Sequence, residues 1–186
     1  MFVLVENNSV TKSLPTGRGI TIGENQYPRA IYTSWSAAER EAIGIYEVVW
    51  DNSNKKDGEY YNNTNQSFNF ADGKVTASFG SATAKELADV TDENDNVTPG
   101  LKSQKKTLIK REASGLLTPT DWYVIKATEV ESYSVPADTT TYRAAVRTSS
   151  NDMEALIDAC TTVDELAALY VYTDGSRPLG EFPEAV

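Results

Sequence analysis

The amino-acid sequence predicts an α+β protein: a small antiparallel β-rich N-terminal module with one short helix, followed by a C-terminal helical hairpin. Three observations carry this expectation. Residues 2–5 and 45–50 are dense in β-branched and aromatic side chains and are bounded by turn residues. From Leu101 the pattern changes, and apolar residues recur at helical spacing with lysines between them. Between the two patterns lies GSATAKELADVTDENDNVTPG, acidic and rich in turn residues. The expected organisation is a β-rich module over residues 1–80, an acidic linker over 81–100, a helical hairpin domain over 101–172 and a tail over 173–186.

The elements follow in chain order. FVLV, residues 2–5, is a first strand, and Glu6-Asn7-Asn8-Ser9 is the turn after it. Residues 10–22 alternate weakly and are broken by Pro15, Gly17 and Gly19, which gives a second strand and a loop. Ser36, with Glu39 three residues on, has the spacing of a capping box and starts the short helix. Trp35 before the cap has Arg40 opposite it, so the usual apolar staple is absent. Gly44 ends the helix where a left-handed residue is needed. IYEVVW follows as a strand. Asp57-Gly58 and Asp72-Gly73 are turn pairs, with further strands at 59–61, 66–70 and 74–79. Residues 82–90 read as a short helical turn.

In the helical part, Leu101, Leu108, Ile109, Ala113, Leu116 and Leu117 form one apolar stripe. Thr118-Pro119 stops that helix, because the residue before a proline avoids the helical region. Asp121 suits the turn, and Trp122 arrives beside Leu116 and Leu117, where packed inward it closes the stripe. Residues 123–133 are expected to be an extended link. Asp138 caps the next helix, with Pro136 just outside it. Tyr142, Ala145 and Val146 share one face of that helix, and Arg143 and Arg147 the neighbouring one. The helix either continues or restarts at Asn151. Thr162 with Glu165 marks a second capping box and a short helix to about Tyr170.

Composition narrows the function. The 186 residues carry a formal net charge of −10, a field that repels nucleic acid and anionic membrane surfaces. With no histidine, Ser-His-Asp and Cys-His nucleophile systems and most zinc sites are excluded. One cysteine, Cys160, gives no internal disulfide, and its apolar helical setting favours packing over reactivity. MFVLVENN has neither a basic leader nor a long apolar run, so no signal peptide or spanning helix is expected.

Chemical constellations are weak. Asp92 to Asn96 places oxygen ligands at calcium-loop spacing, but Val97 stands where that loop needs glycine and Ser103 where it needs a bidentate glutamate. Glu129 and Glu131 would share a strand face at a spacing a glycosidase pair could use, but no pocket or desolvating surround accompanies them. No metal and no cofactor are expected. The cations from Lys102 to Arg111 suit either a solvated helix face or an acidic partner.

Arg111, Leu116-Leu117, Thr120-Asp121-Trp122 and Tyr142-Arg143 with Arg147 together resemble the C-terminal region of tail assembly chaperone and tail-fibre assembly proteins of tailed bacteriophages. That pattern runs Arg, Leu-Leu, Thr-Asp-Trp, a variable link, then Tyr-Arg and Leu-Arg. Val146 stands here in place of the second leucine position. WSAAEREAIGIYEV, from Trp35, is similar to the front of such proteins. The resemblance covers about a third of the chain and leaves residues 51–100 without a counterpart. It implies a non-enzymatic protein that binds a phage tail or tail-fibre polypeptide and assists its assembly or attachment. The alternative is a permanent virion component, a fibre adaptor or decoration protein. The implied place is the host cytoplasm during assembly, with or without retention in the virion tail. Trp122, Tyr123, Tyr142, Arg143 and Arg147 are the expected partner-binding residues, with Tyr123 as the external contact. Asp121, Ser36, Glu39 and Gly44 are the expected turn and cap residues. A homo-oligomer is also compatible with this reading.

Overall fold

The protein is described by a computed structural model covering residues 1–64 and 66–185. It separates into two compact units, Met1–Thr83 and Ala84–Val186.

The first unit is built on a five-stranded sheet. β1 (Phe2–Glu6) and β2 (Ser9–Leu14) form a hairpin through Asn7 and Asn8, both with positive φ. The chain then makes a small second hairpin, β3 (Ile20–Ile22) with β4 (Asn25–Tyr27). Two helical turns follow, α1 (Ile31–Ser34) and α2 (Ala37–Glu41), so a turn of helix precedes the one the sequence pattern marks. β5 (Ile45–Asp51) returns to the sheet. β6 (Tyr61–Asn62) follows, then β7 (Ser67–Ala71) and β8 (Lys74–Ser78) form the last hairpin, and β9 (Thr83–Ala84) spans the point where the two units divide. The hairpin's turn residues, Asp72 and Gly73, both have positive φ, the geometry that matches strand twist in a two-residue loop.

The sheet order is β2-β1-β5-β8-β7. All neighbours are antiparallel except β5 and β8, which run parallel from Val48/Val75 to Asp51/Ser78. A parallel pair needs a long crossover, and the 22 residues between β5 and β8, which include β7, supply it. The antiparallel module expected from the turn pairs is therefore interrupted by one parallel ladder.

FVLV shows no polar alternation because β1 is covered on both faces. Phe2 and Leu4 join Leu14, Ile31, Tyr32 and Ile45 on one side. Val3 joins Val48, Val75 and Ala77 on the other, with Tyr46, Phe68 and Phe70 around them. Residues of the edge strands β2 and β7 lie within 8 Å, Cα to Cα, so the sheet curls round this second cluster. A bulge between Leu4 and Val5 sharpens the twist at one edge.

In the second unit, β10 (Val90–Thr91) and β11 (Val97–Thr98) form a short hairpin closed by Asp92, whose carboxylate accepts hydrogen bonds from the Asn94 and Asn96 amides. Residues 82–90 hold no helix. Instead this stretch caps α3 (Leu101–Leu117): Leu101 and Lys102 donate to the carbonyls of Glu86 and Leu87, and Gly100 donates to Asp89. These are the orphan donors of a helix start, so the acidic segment is bound into the helical unit by backbone geometry. A Cβ at Gly100 would collide with the Ala88 carbonyl. Asp89 is held below its usual pKa by hydrogen bonds from Ser103 and the Gly100 amide.

α3 packs against α5 (Ala137–Ala159), one unbroken helix across Asn151. The buried residues of α3 are Leu101, Lys105, Ile109 and Ala113. Leu108, expected in the stripe, is 51% exposed. α6 (Val163–Ala168) begins with the Thr162–Glu165 capping box. The final stretch, expected to be a tail, folds back: Leu179 is buried and donates to the Leu169 carbonyl, and Phe182 packs beside Ala113, Tyr142 and Val146. Phe182 thus takes the place at the end of the apolar stripe that the sequence pattern gave to Trp122.

Candidate interaction site at the helical bend

Pro119 ends α3 and also starts the next helical segment. Thr118–Thr120 make a turn of 3-10 helix, and α4 (Asp121–Glu129) continues from it. The extended link expected over residues 123–133 is therefore helical for most of its length. The physical reason is the two-sided nature of proline: it breaks the helix before it, yet in a first helical turn its missing N–H is not needed. Glu129 and Glu131 consequently do not share a strand face: Glu129 ends α4 and Glu131 lies in the loop after it.

Arg143, on α5, holds this bend. Its Nη1 donates to the Leu117 carbonyl at 2.8 Å and to the Thr120 hydroxyl at 2.6 Å, and its Nη2 lies 2.8 Å from Asp121 Oδ1. The Leu117 carbonyl belongs to the last turn of α3, where a cation is favoured. Asp121 stands in the first turn of α4, where an anion is favoured. One guanidinium therefore serves two helix ends, and it is 8% exposed in doing so. Tyr142, one residue earlier, is buried with Ala113 and Val146.

Two of the five expected contact residues, Tyr142 and Arg143, are thus inside the hairpin. Arg147 is exposed and donates to the Arg143 carbonyl at 3.3 Å. It borders a cleft of about 480 Å³ that also includes Lys110, Asp121 and Asn151. Trp122, expected to pack inward, is 50% exposed. Its ring lies 3.9 Å from that of half-buried Tyr123, centroid to centroid. Lys126 Nζ stands over both Trp122, at 5.7 Å, and Tyr133, at 4.2 Å.

α4 contains Trp122, Tyr123, Val124 and Ile125, yet none of its nine residues is buried. Ile125 is 56% exposed and lies three residues from Trp122, on the same helical face. Val124 is exposed beside them. Val124 and Ile125 were not among the expected contact residues. The run WYVI reads as a strand by composition, and only the helix makes Trp122 and Ile125 neighbours.

The other candidates are accounted for locally. The basic run of α3 turns inward: Lys106 pairs with Asp158 at 2.7 Å, Lys110 with Glu154 at 3.2 Å, and Lys102 donates to the Asp158 carbonyl. Cys160 is buried, and burial pushes its thiol above the ordinary value. Ser36 and Glu39 form the expected capping box of α2. Gly44 has φ of 81°, and a Cβ there would lie 2.7 Å from the Val5 carbonyl oxygen. Among the described residues no group of three or more His, Cys, Asp or Glu is placed to hold a metal ion, and no helix is long and apolar enough to cross a membrane.

Fold and site together define an α+β protein whose helical unit exposes an aromatic and aliphatic helix at its bend. Compared with known protein families, with characterised proteins and with solved structures, the chain has no match.

Proposed function

We propose that this is a non-enzymatic bacteriophage tail-associated protein that binds a tail or tail-fibre polypeptide and assists its assembly or attachment, acting in the host cytoplasm. The observation that supports it is α4. A nine-residue helix is marginal on its own, and one that buries none of its residues gains little from its own fold. Arg143 and Asp121 hold it in place without covering its apolar face. An apolar segment or strand edge of an unassembled fibre would cover Trp122 and Ile125, and both surfaces would be shielded from aggregation. Trp is among the residues that dominate such interfaces. The resemblance of Leu116-Leu117, Thr120-Asp121-Trp122 and Tyr142-Arg143 to phage assembly proteins points to the same partner.

The test is co-expression with tail and tail-fibre polypeptides of a tailed bacteriophage, followed by affinity capture. Ile125→Asp and Trp122→Ala are each expected to lower capture at least about tenfold, as loss of an interface anchor does. Capture by the wild type that both variants leave unchanged would overturn the assignment of the surface. Absence of capture by the wild type would overturn the function.

A further inference from the structure

We propose that the seat of Phe182 on α3 and α5 is a docking groove for an extended polypeptide segment carrying a phenylalanine followed by a proline, and that residues 181–185 occupy it as an internal competitor. The groove lies within the second unit, and the inference does not depend on the function proposed for α4.

The floor belongs to the helices. Ala113 of α3 and Tyr142 and Val146 of α5 are buried, and Leu116 and Leu117 pack against them. Contacts between the two helices run from Lys106–Asp158 through Lys110–Glu154 to Arg143 on the Leu117 carbonyl. The floor therefore keeps its shape when Phe182 leaves it.

The segment on that floor is held differently. The chain is fixed as far as Gly180: Leu179 is buried and donates to the Leu169 carbonyl, and the Gly180 amide donates to the Arg177 carbonyl. Among the described residues, no backbone hydrogen bond involves residues 181–185. The Glu181 carboxylate accepts from the Tyr172 hydroxyl at 2.5 Å and pairs with Arg177 at 3.0 Å, and both partners belong to the same closing stretch rather than to α3 or α5. Phe182 and Pro183 are half-buried. What seats the segment is one ring and the proline beside it, and their partial burial is set against the entropy of ordering five residues. Such a cover sits at the low end of local stability and opens without unfolding the helices beneath it.

The seated segment also shows which chemistry the groove takes. The floor is apolar and holds an aromatic ring. Pro183 keeps Phe182 extended and has no N–H that would need a partner in the groove. The internal fit is incomplete. A hollow of about 270 Å³ remains between Pro183 and Glu184 on one side and Asp138, Thr141, Tyr142 and Ala145 of α5 on the other. Asp138 and Glu184 are both carboxylates, and no cation lines the hollow with them. A segment with an apolar residue after the proline fills the hollow without bringing a second carboxylate to Asp138, and so covers more of α5 than residues 181–185 do.

The probe is the end-blocked peptide Gly-Glu-Phe-Pro-Leu, and the control is the same peptide with alanine for phenylalanine. Each is titrated into the full chain and into its Phe182→Ala and Phe182→Leu variants while the Ala113, Leu117 and Val146 amides are followed by NMR. Saturable shifts are expected with the probe and none with the control. Affinity should rise at least about fivefold from the wild type to Phe182→Ala, with Phe182→Leu between them, because an attached competitor acts at a high effective concentration. Phe182 is half-buried and lies outside every helix, so both variants keep the hairpin, and their helical amide signals show it.

No saturation of Phe182→Ala by the probe would overturn the groove. Equal affinity in the wild type and Phe182→Ala would overturn the competition, and equal affinity for the alanine peptide would overturn the aromatic requirement. A wild-type chain that dimerises with rising concentration, and ceases to in Phe182→Ala, would assign the groove to a second copy and overturn the separate partner.

Discussion

Arg143 holds the bend between α3 and α4, and its removal has a calculable cost. Arg143→Met keeps the aliphatic stem and deletes every donor. Two hydrogen bonds from a charged donor are lost, to the Leu117 carbonyl and the Thr120 hydroxyl. Such bonds are worth roughly 1.5–3 kcal/mol each where nothing replaces them. Here something does: the Thr120 hydroxyl also donates to the Leu117 carbonyl at 2.8 Å, so that oxygen keeps a partner. The ion pair with Asp121 adds little, because the Asp121 side chain is half exposed and solvent screens it to about 0–1 kcal/mol. The expected loss is therefore about 2–4 kcal/mol, concentrated in the helical unit. Asp121→Asn should cost less than about 1 kcal/mol, and the pair should couple by no more than that. Amide hydrogen exchange across residues 114–129 in increasing urea reads the effect locally, which a chain of two units requires. Two outcomes would refute the reasoning. One is an Arg143→Met loss below about 0.5 kcal/mol, the level of an ordinary surface change. The other is an Asp121→Asn loss equal to that of Arg143→Met, which would make the ion pair the holding contact.

Further outcomes are expected at three places in the chain. Tyr32→Phe should leave the first unit as stable as the wild type or more stable, by up to about 1 kcal/mol, because the lost hydroxyl has no partner; differential scanning calorimetry checks this. Glu165 is held below its usual value, first by the Thr161 backbone amide, then by the Thr161 hydroxyl and the Thr162 amide. A depressed carboxylate stabilises above its unfolded pKa, and the contribution is lost as pH falls through the folded pKa. Acid should therefore loosen the start of α6, visible as faster exchange of the Glu165 and Leu166 amides, and Thr162→Ala should cost the same end about 1 kcal/mol at neutral pH. Cys160 is buried with its thiol raised by desolvation, so an aromatic disulfide reagent at neutral pH should modify it only as fast as the unit opens.

Much of the fold was legible from local signals, and each that worked has a short-range cause. Ser36–Glu39 and Thr162–Glu165 mark helix starts because both halves of a capping box lie within three residues. Asp72-Gly73 marks a hairpin because both residues tolerate positive φ. The misreadings share a different cause. Residues 82–90 have helical composition, but their carbonyls and the Asp89 carboxylate are engaged by the start of α3, an arrangement fixed by residues that come later in the chain. Leu108 belongs to the apolar pattern yet lies outside the seam, where Lys105 is buried beside the Tyr170 ring instead. A long stem with a polar tip can occupy a seam that a count of apolar residues would leave to leucine.

The candidate site was less legible. Trp122 stood out by its rarity and by the motif around it. Its direction did not, because that depended on whether residues 121–129 were helix or extended, and on Phe182, sixty residues away, filling the stripe first. Arg143 stood among the expected contact residues because it belongs to the motif that carries the resemblance. Its burial comes from the meeting of two helix ends at one point, which no sequence spacing encodes.

By itself the sequence determined the α+β division, the positions of the capped helices and tight turns, and the exclusion of histidine chemistry, since each depends on residue identity or on neighbours within a turn. Only the tertiary structure decided the parallel β5/β8 ladder, the guanidinium between α3 and α4, the exposed face of α4 and the orphaned phenol at Tyr32. These depend on which distant segments arrive at one place, and burial is a property of that arrival, which no single stretch of the chain contains.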